Sequence, residues 1–147
     1  MDGRRWTVKD FSPRHLLVRL FWGTWVLARE LKILNRLKGI DGIAEEAFRI
    51  DRYAIAIEYK EGERLIYADE SLRTKALFLE MEALLKQVHQ KGAVHLDTRG
   101  WSNWLLSPEG KPVLIDFQTG LVTDYLLKRI RYILELIDST IKRRKPS

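Results

Sequence analysis

The order of hydrophobic patterns predicts a mixed α+β fold, read as strand, helix, strands, helix, hairpin, helix. Three observations carry this. The stretches of about Leu16–Lys38 and Ser71–Lys91 repeat large apolar residues at helical spacing, and glycines stop them at Gly39 and Gly92. Between them Tyr53–Tyr59 (YAIAIEY) alternates as a strand does. Beyond the second helix, the apolar pieces Asn103–Leu106 and Pro112–Ile115 flank Pro108-Glu109-Gly110, the chemistry of a hairpin turn.

The remaining elements follow in order. Arg5–Phe11 (RWTVKDF) reads as a short strand entered through the Asp2-Gly3 turn, and Gly42–Ile50 as a turn and a strand. On the first helix Trp22, Val26, Leu27, Ile33, Leu34 and Leu37 recur; on the second, Leu77, Met81, Leu84, Leu85 and Val88 share one face. A last helix is expected over about Thr123–Arg144, with Leu126, Ile130, Ile133, Leu134, Ile137 and Ile141 on its apolar side. The chain's 147 residues, without internal repeats or low-complexity segments, fit one domain.

Composition narrows the function classes. A hydrophobic fraction of 46% with 31% charged residues belongs to a globular chain, which excludes a disordered tail. The lack of cysteine excludes disulfides and thiolate metal sites and fits a reducing cytoplasm. Met1-Asp2-Gly3-Arg4-Arg5 has no apolar signal-peptide core behind it. The longest apolar run, Leu16–Leu27, is interrupted by Arg19, Gly23 and Thr24 and is too short for a span, which needs about 20 apolar residues. The net charge of +6 favours nucleotide, nucleic acid or anionic lipid, or simply a basic solvated surface; nothing beyond charge speaks for nucleic acid.

The densest polar cluster in an apolar frame is Val94–Leu106 (VHLDTRGWSNWLL), followed by Val113–Gln118 (VLIDFQ). Buried carboxylates are costly unless paired or metal-bound. Asp97, Asn103 and Asp116 beside a buried hairpin form a hard oxygen set suited to Mg²⁺, which takes phosphate oxygens and water as its other ligands.

His95-Leu96-Asp97, Asn103 and Asp116-Phe117 in this order resemble the protein-kinase-like superfamily, whose pattern is H-x-D, then Asn, then a hairpin ending in D-F-G. The runs His95–Leu106 and Ile115–Gln118 are similar to those of small bacterial and archaeal kinase-like proteins related to lipopolysaccharide kinases and RIO kinases. The resemblance covers roughly Arg4–Gln118 and implies a minimal kinase-like fold. A truncated N-lobe sheet would occupy about residues 1–60 and a reduced, mainly helical C-lobe about 61–147.

The resemblance also implies ATP and Mg²⁺ as cofactors and transfer of the γ-phosphate to a hydroxyl. The acceptor would be a protein Ser/Thr, including the chain's own, or a glycolipid sugar. Asp97 would orient the attacking hydroxyl and accept its proton, while Asn103 and Asp116 hold the metal. Arg99 would lie near the transferring phosphate, and His95 and Phe117 would brace the loop. Upstream, Lys9 would meet the nucleotide phosphates with Glu30 as its partner. Ile55–Tyr59 would be the strand along the base, with backbone groups of Glu58, Tyr59 and Lys60 at its edge.

Three departures qualify these expectations. No glycine-rich loop precedes Lys9, with only eight residues before it, so the lid over the phosphates is expected to be missing. Asp97 and Asn103 stand one residue further apart than in ordinary protein kinases, which predicts a bulge at Gly100. Gln118 replaces the glycine of D-F-G, and no activation loop or A-P-E-like segment follows. A nucleotide-binding pseudokinase scaffold is therefore a rival expectation, and a basic membrane or nucleic-acid adaptor another.

Other residues carry open readings. Leu16–Trp25 (LLVRLFWGTW), beside Arg14, either packs on the small lobe or a second subunit, as in a homodimer, or lies on a membrane surface. The latter would make the protein cytoplasmic but peripheral to the inner membrane face. Trp22, Trp25, Trp101 and Trp104 read as packing residues, with Trp101 also placed to shape an acceptor pocket. His15 and His89 have no nameable partner. The run Lys142-Arg143-Arg144-Lys145 reads as a solvated helix end that can also meet acidic lipid or nucleic acid.

Overall fold

The computed structural model describes residues 3–98 and 101–122, apart from the side chain of Arg19; Arg99, the expected bulge at Gly100 and the expected last helix lie outside the described residues. Their architecture is mixed α/β, with small antiparallel sheets and two α-helices.

The first sheet joins β1 (Trp6–Asp10), β2 (Ala47–Arg49) and β3 (Ala54–Glu58) in the order β1-β3-β2. As the central strand, β3 has Ala54, Ile55, Ala56 and Ile57 all buried, which its near-continuous apolar sequence allows. Antiparallel register sets Lys9 opposite Ile55 and Phe48 opposite Ala56.

Helical structure begins at Leu16, winds through a π-helical stretch at Val18–Gly23, and continues as α1 (Thr24–Leu37). A Cβ at Gly23 would stand 2.9 Å from the Phe11 ring, so the helix start rests directly on that ring. The π-helical stretch was not anticipated, because one wide turn leaves little trace in residue spacing. Along α1, Val26, Leu27, Glu30, Ile33, Leu34 and Leu37 are buried, the stripe expected of a core-facing helix.

The second helix starts later than its periodicity implies. Asp69 caps a single 3₁₀ turn, Glu70–Leu72, by accepting from the Ser71 N–H. Thr74 then adopts an extended conformation, and its hydroxyl accepts from the Leu77 N–H at 3.2 Å to open α2 (Lys75–Gln90). Local side-chain caps thus divide what reads as one continuous helix from Ser71.

A second sheet takes β4 (Glu63–Arg64), β6 (Trp104–Leu106) and β7 (Pro112–Leu114) in that order, and β5 (Ala93–Val94) pairs with β8 (Leu121–Val122). The two-residue strands are too short to announce themselves by alternation. The loop after α1 is pinned to the hairpin at Gly42, whose carbonyl accepts from the Leu114 N–H at 2.9 Å. There φ is +90°, and an added Cβ would approach the Pro112 carbonyl oxygen to 2.7 Å, so the position requires glycine.

The buried cluster gathers Leu27, Ile33, Leu34 and Leu37 of α1, Ile55 and Ile57 of β3, Leu77, Met81, Leu84 and Val88 of α2, and Trp104, Leu114 and Phe117 around the hairpin. Both helices and the ends of both larger sheets thereby meet in one apolar region. Among the described residues no helix is long and apolar enough to cross a membrane.

Candidate active site

Strand β1, helix α1 and the exit of β7 bring three charged residues together. Lys9 Nζ donates to Glu30 Oε1 at 2.7 Å and to Asp116 Oδ1 at 2.9 Å. Glu30 falls on the buried stripe of α1 and is itself fully buried. Its Oε1 also accepts from the Phe117 N–H at 3.2 Å, whereas Oε2 is buried without a partner. Burial raises the Glu30 pKa; the Lys9 charge and hydrogen bond draw it back, the Asp116 charge adds to the rise, and the Phe117 N–H opposes it.

Asp116 has φ +62° and ψ 73°, the one positive φ at a non-glycine position among the described residues. Aspartate tolerates this left-handed conformation better than most residues, though at a cost. The reversal sets its carboxylate on Lys9 while the next N–H faces Glu30. Phe117 is buried, its ring edge-on to His95 with centroids 4.8 Å apart. Arg29, one residue before Glu30, donates to the Gln118 carbonyl, a second tie between α1 and this turn.

His95 joins the two halves of the loop. Its Nδ1 accepts from the Asp97 N–H at 3.2 Å, and its Nε2 lies 3.0 Å from the Ile115 carbonyl oxygen. Because Nδ1 is an acceptor, the network assigns the neutral tautomer with the proton on Nε2, donating to Ile115. Asn103 Nδ2 donates at 2.9 Å to both the Asp97 carbonyl and its Oδ2, leaving the amide oxygen of Asn103 as its other polar atom. The Ile115 N–H donates to the Asn103 carbonyl at 2.9 Å, extending the β6–β7 pairing so that Asn103 stands beside the Ile115–Asp116 step. Trp104 Nε1 closes the loop onto the Thr98 carbonyl at 3.3 Å.

A cleft of about 310 Å³ has Lys9, Glu30 and Asp116 among its lining residues, with Ile57, Leu105 and Leu114 among its apolar ones. Glu58, Tyr59 and Lys60 line it too, but the first two have backbone N–H groups that are less available than expected. The Glu58 N–H donates to the Glu46 carbonyl at 2.8 Å and the Tyr59 N–H to the Arg5 carbonyl at 3.0 Å, so the sheet occupies both. Leu105 and Leu114 were not singled out from sequence, where the hairpin's apolar alternation was the available signal; Gly62, at the end of the expected hinge Lys60-Glu61-Gly62, does line the cleft. The direct Lys9–Asp116 contact had none, the two residues being 107 positions apart. A larger cavity of about 610 Å³, bordered by Asp41, Glu80, Glu109 and Lys111, shares Lys60 with the cleft but includes none of Lys9, Glu30 and Asp116. The convergence of charge and an apolar wall favours the smaller cleft as the chemical site.

The donor set is compatible with a phosphate-bound Mg²⁺. Among the described residues no group of three histidines or acids could hold a metal alone. One carboxylate from Asp116 and one amide oxygen from Asn103 suit an ion that keeps waters and shares phosphate oxygens. No protein-family model and no curated protein sequence matches the chain.

Proposed function

We propose that this protein is a kinase-like phosphotransferase with a minimal kinase-like fold, moving the γ-phosphate of ATP to a hydroxyl group. The observation that carries the reading is Lys9, bound at 2.7 Å to a fully buried glutamate and at 2.9 Å to the aspartate that ends the hairpin, all three lining one cleft. A buried ion pair contributes little net stability, so its presence is better explained by the ammonium it holds in place.

Glu30 fixes the Lys9 ammonium, whose positive charge attracts the nucleotide phosphates. Ile57, Leu105 and Leu114 offer an apolar wall to the base. Asp116 and the Asn103 amide oxygen would hold Mg²⁺. When bound, Mg·ATP supplies the transferable phosphoryl group and neutralises its charge. Asp97, held by the Asn103 amide and by His95 through its own N–H, orients the acceptor hydroxyl and takes its proton. Positioning and charge carry such a reaction, with little covalent work for the protein. The acceptor class is a protein Ser/Thr, including the chain's own, or a glycolipid sugar.

Purified protein incubated with Mg·ATP is expected to transfer phosphate to itself or to an added hydroxyl acceptor. Asp97→Ala and Asp116→Ala should each abolish transfer without unfolding the chain. No transfer by the wild type to any acceptor, with both variants indistinguishable from it, would refute the enzyme reading. A second reading, nucleotide binding without turnover, is favoured by the pairing of Asp116 with Lys9, which engages one of the carboxylate oxygens a metal would take. Metal-dependent thermal stabilisation by ATP with no product after long incubation would select it.

A further inference from the structure

Helices in water bury their large apolar residues, yet the first turns of this one turn many of them outward. Leu16, Leu17, Val18, Phe21, Trp22 and Trp25 are exposed, Phe21 at 75% and Trp22 at 62% of their full area. Gly23, against Phe11, is where this stretch is buried, and the core stripe starts at Val26. Trp22 and Trp25 lie with ring centroids 6.1 Å apart, and the Arg29 guanidinium covers Trp25 at 4.3 Å. The apolar face is therefore a coherent aromatic patch rather than scattered side chains.

Its charge is one-sided. From Phe11 to Arg29 the sequence contains Arg14, His15, Arg19 and Arg29 and no carboxylate. A second copy docked by a two-fold axis would set arginines against arginines. An anionic lipid surface instead neutralises the arginines with headgroups while leucine, phenylalanine and tryptophan enter the acyl boundary.

We infer that Leu16–Trp25 is a docking face for anionic bilayers, the helix start lying in the interface with Phe21 and Trp22 inserted. This stands apart from the phosphotransfer reading, because lipid binding needs neither nucleotide nor Asp97.

The test is sedimentation of the full chain with vesicles of phosphatidylcholine containing roughly 30% phosphatidylglycerol, against vesicles of phosphatidylcholine alone. The wild type should partition onto the anionic vesicles and at least about tenfold less onto the neutral ones. Phe21→Ser combined with Trp22→Ser should lower anionic partitioning by about tenfold or more, since both side chains lose their apolar contact. Arg14→Glu with Arg19→Glu should do the same through charge, and the serine pair should keep the wild-type melting temperature because Phe21 and Trp22 are exposed. Equal binding by the wild type and the serine variant overturns the inference. So does absence of binding to anionic vesicles; a concentration-dependent dimer that the serine variant dissociates would then assign the face to self-association.

Discussion

Replacing Lys9 by methionine tests whether the buried carboxylate of Glu30 is held in the cleft by its partner. Lys9→Met keeps the length of the side chain and removes its charge, leaving Glu30 with the Phe117 N–H and an already unpartnered Oε2. Breaking a buried pair from one side costs about 3–5 kcal/mol. The Lys9 side chain is 19% exposed against 1% for Glu30, so water screens part of the interaction and about 2–3 kcal/mol is the better expectation.

The loss must depend on pH. A carboxyl with a raised folded-state pKa keeps its proton in the folded chain where the unfolded chain, at about 4.3, has released it. Its contribution is fully present below the unfolded value and is lost as pH rises through the folded one. Without Lys9 the folded value rises further, because the lysine's charge and hydrogen bond were lowering it. Urea unfolding of wild type and Lys9→Met should therefore converge near pH 4 and separate toward pH 8. Glu30→Gln should be at least as stable as wild type above neutrality, and adding it to Lys9→Met should recover most of the loss. A Lys9→Met protein as stable as wild type at pH 8, or a double variant no better than Lys9→Met, would mean that Glu30 is not held in the cleft by Lys9.

Three further outcomes are expected. His95→Ala should lose about 2–4 kcal/mol in denaturant titrations, since the Asp97 N–H and Ile115 carbonyl lose their shared partner and a buried ring is removed. It should also slow phosphate transfer more than it weakens nucleotide binding. Gly42→Ala should cost at least about 1–2 kcal/mol by the same titration, from its positive φ alone, with the approach to the Pro112 carbonyl adding to it. Asp97→Ala should leave Mg-dependent ATP affinity near wild type while lowering turnover about 100-fold or more, as loss of a general base does; Asp116→Ala should lower both.

The mixed α/β class was legible because long amphipathic patterns report burial directly, as in Val26–Leu37 and Leu77–Val88. The break at Arg73-Thr74 was not, because the same residues pattern as helix and only the caps decide. Residue types in order pointed to Lys9, Glu30, Asp97, Asn103 and Asp116, and the fold brings Lys9 to Glu30 and Asp116, and Asn103 to Asp97. Sequence said nothing of the left-handed Asp116 or of the Lys9–Asp116 contact, since both depend on how β7 ends against a strand far away in the chain. The same holds for the Glu58 and Tyr59 amides: an alternating strand does not reveal which of its N–H groups the neighbouring strands take.

Whether the cleft between Lys9, Glu30 and Asp116 is the nucleotide site would be decided by a crystal structure with Mg²⁺ and a non-hydrolysable ATP analogue. Phosphates are expected on Lys9 with Glu30 still paired to it, Asp116 released from the lysine onto a metal shared with Asn103, and the base against Leu105 and Leu114. Nucleotide bound in the cavity bordered by Asp41 and Glu80, or a metal held away from Asp116, would contradict it.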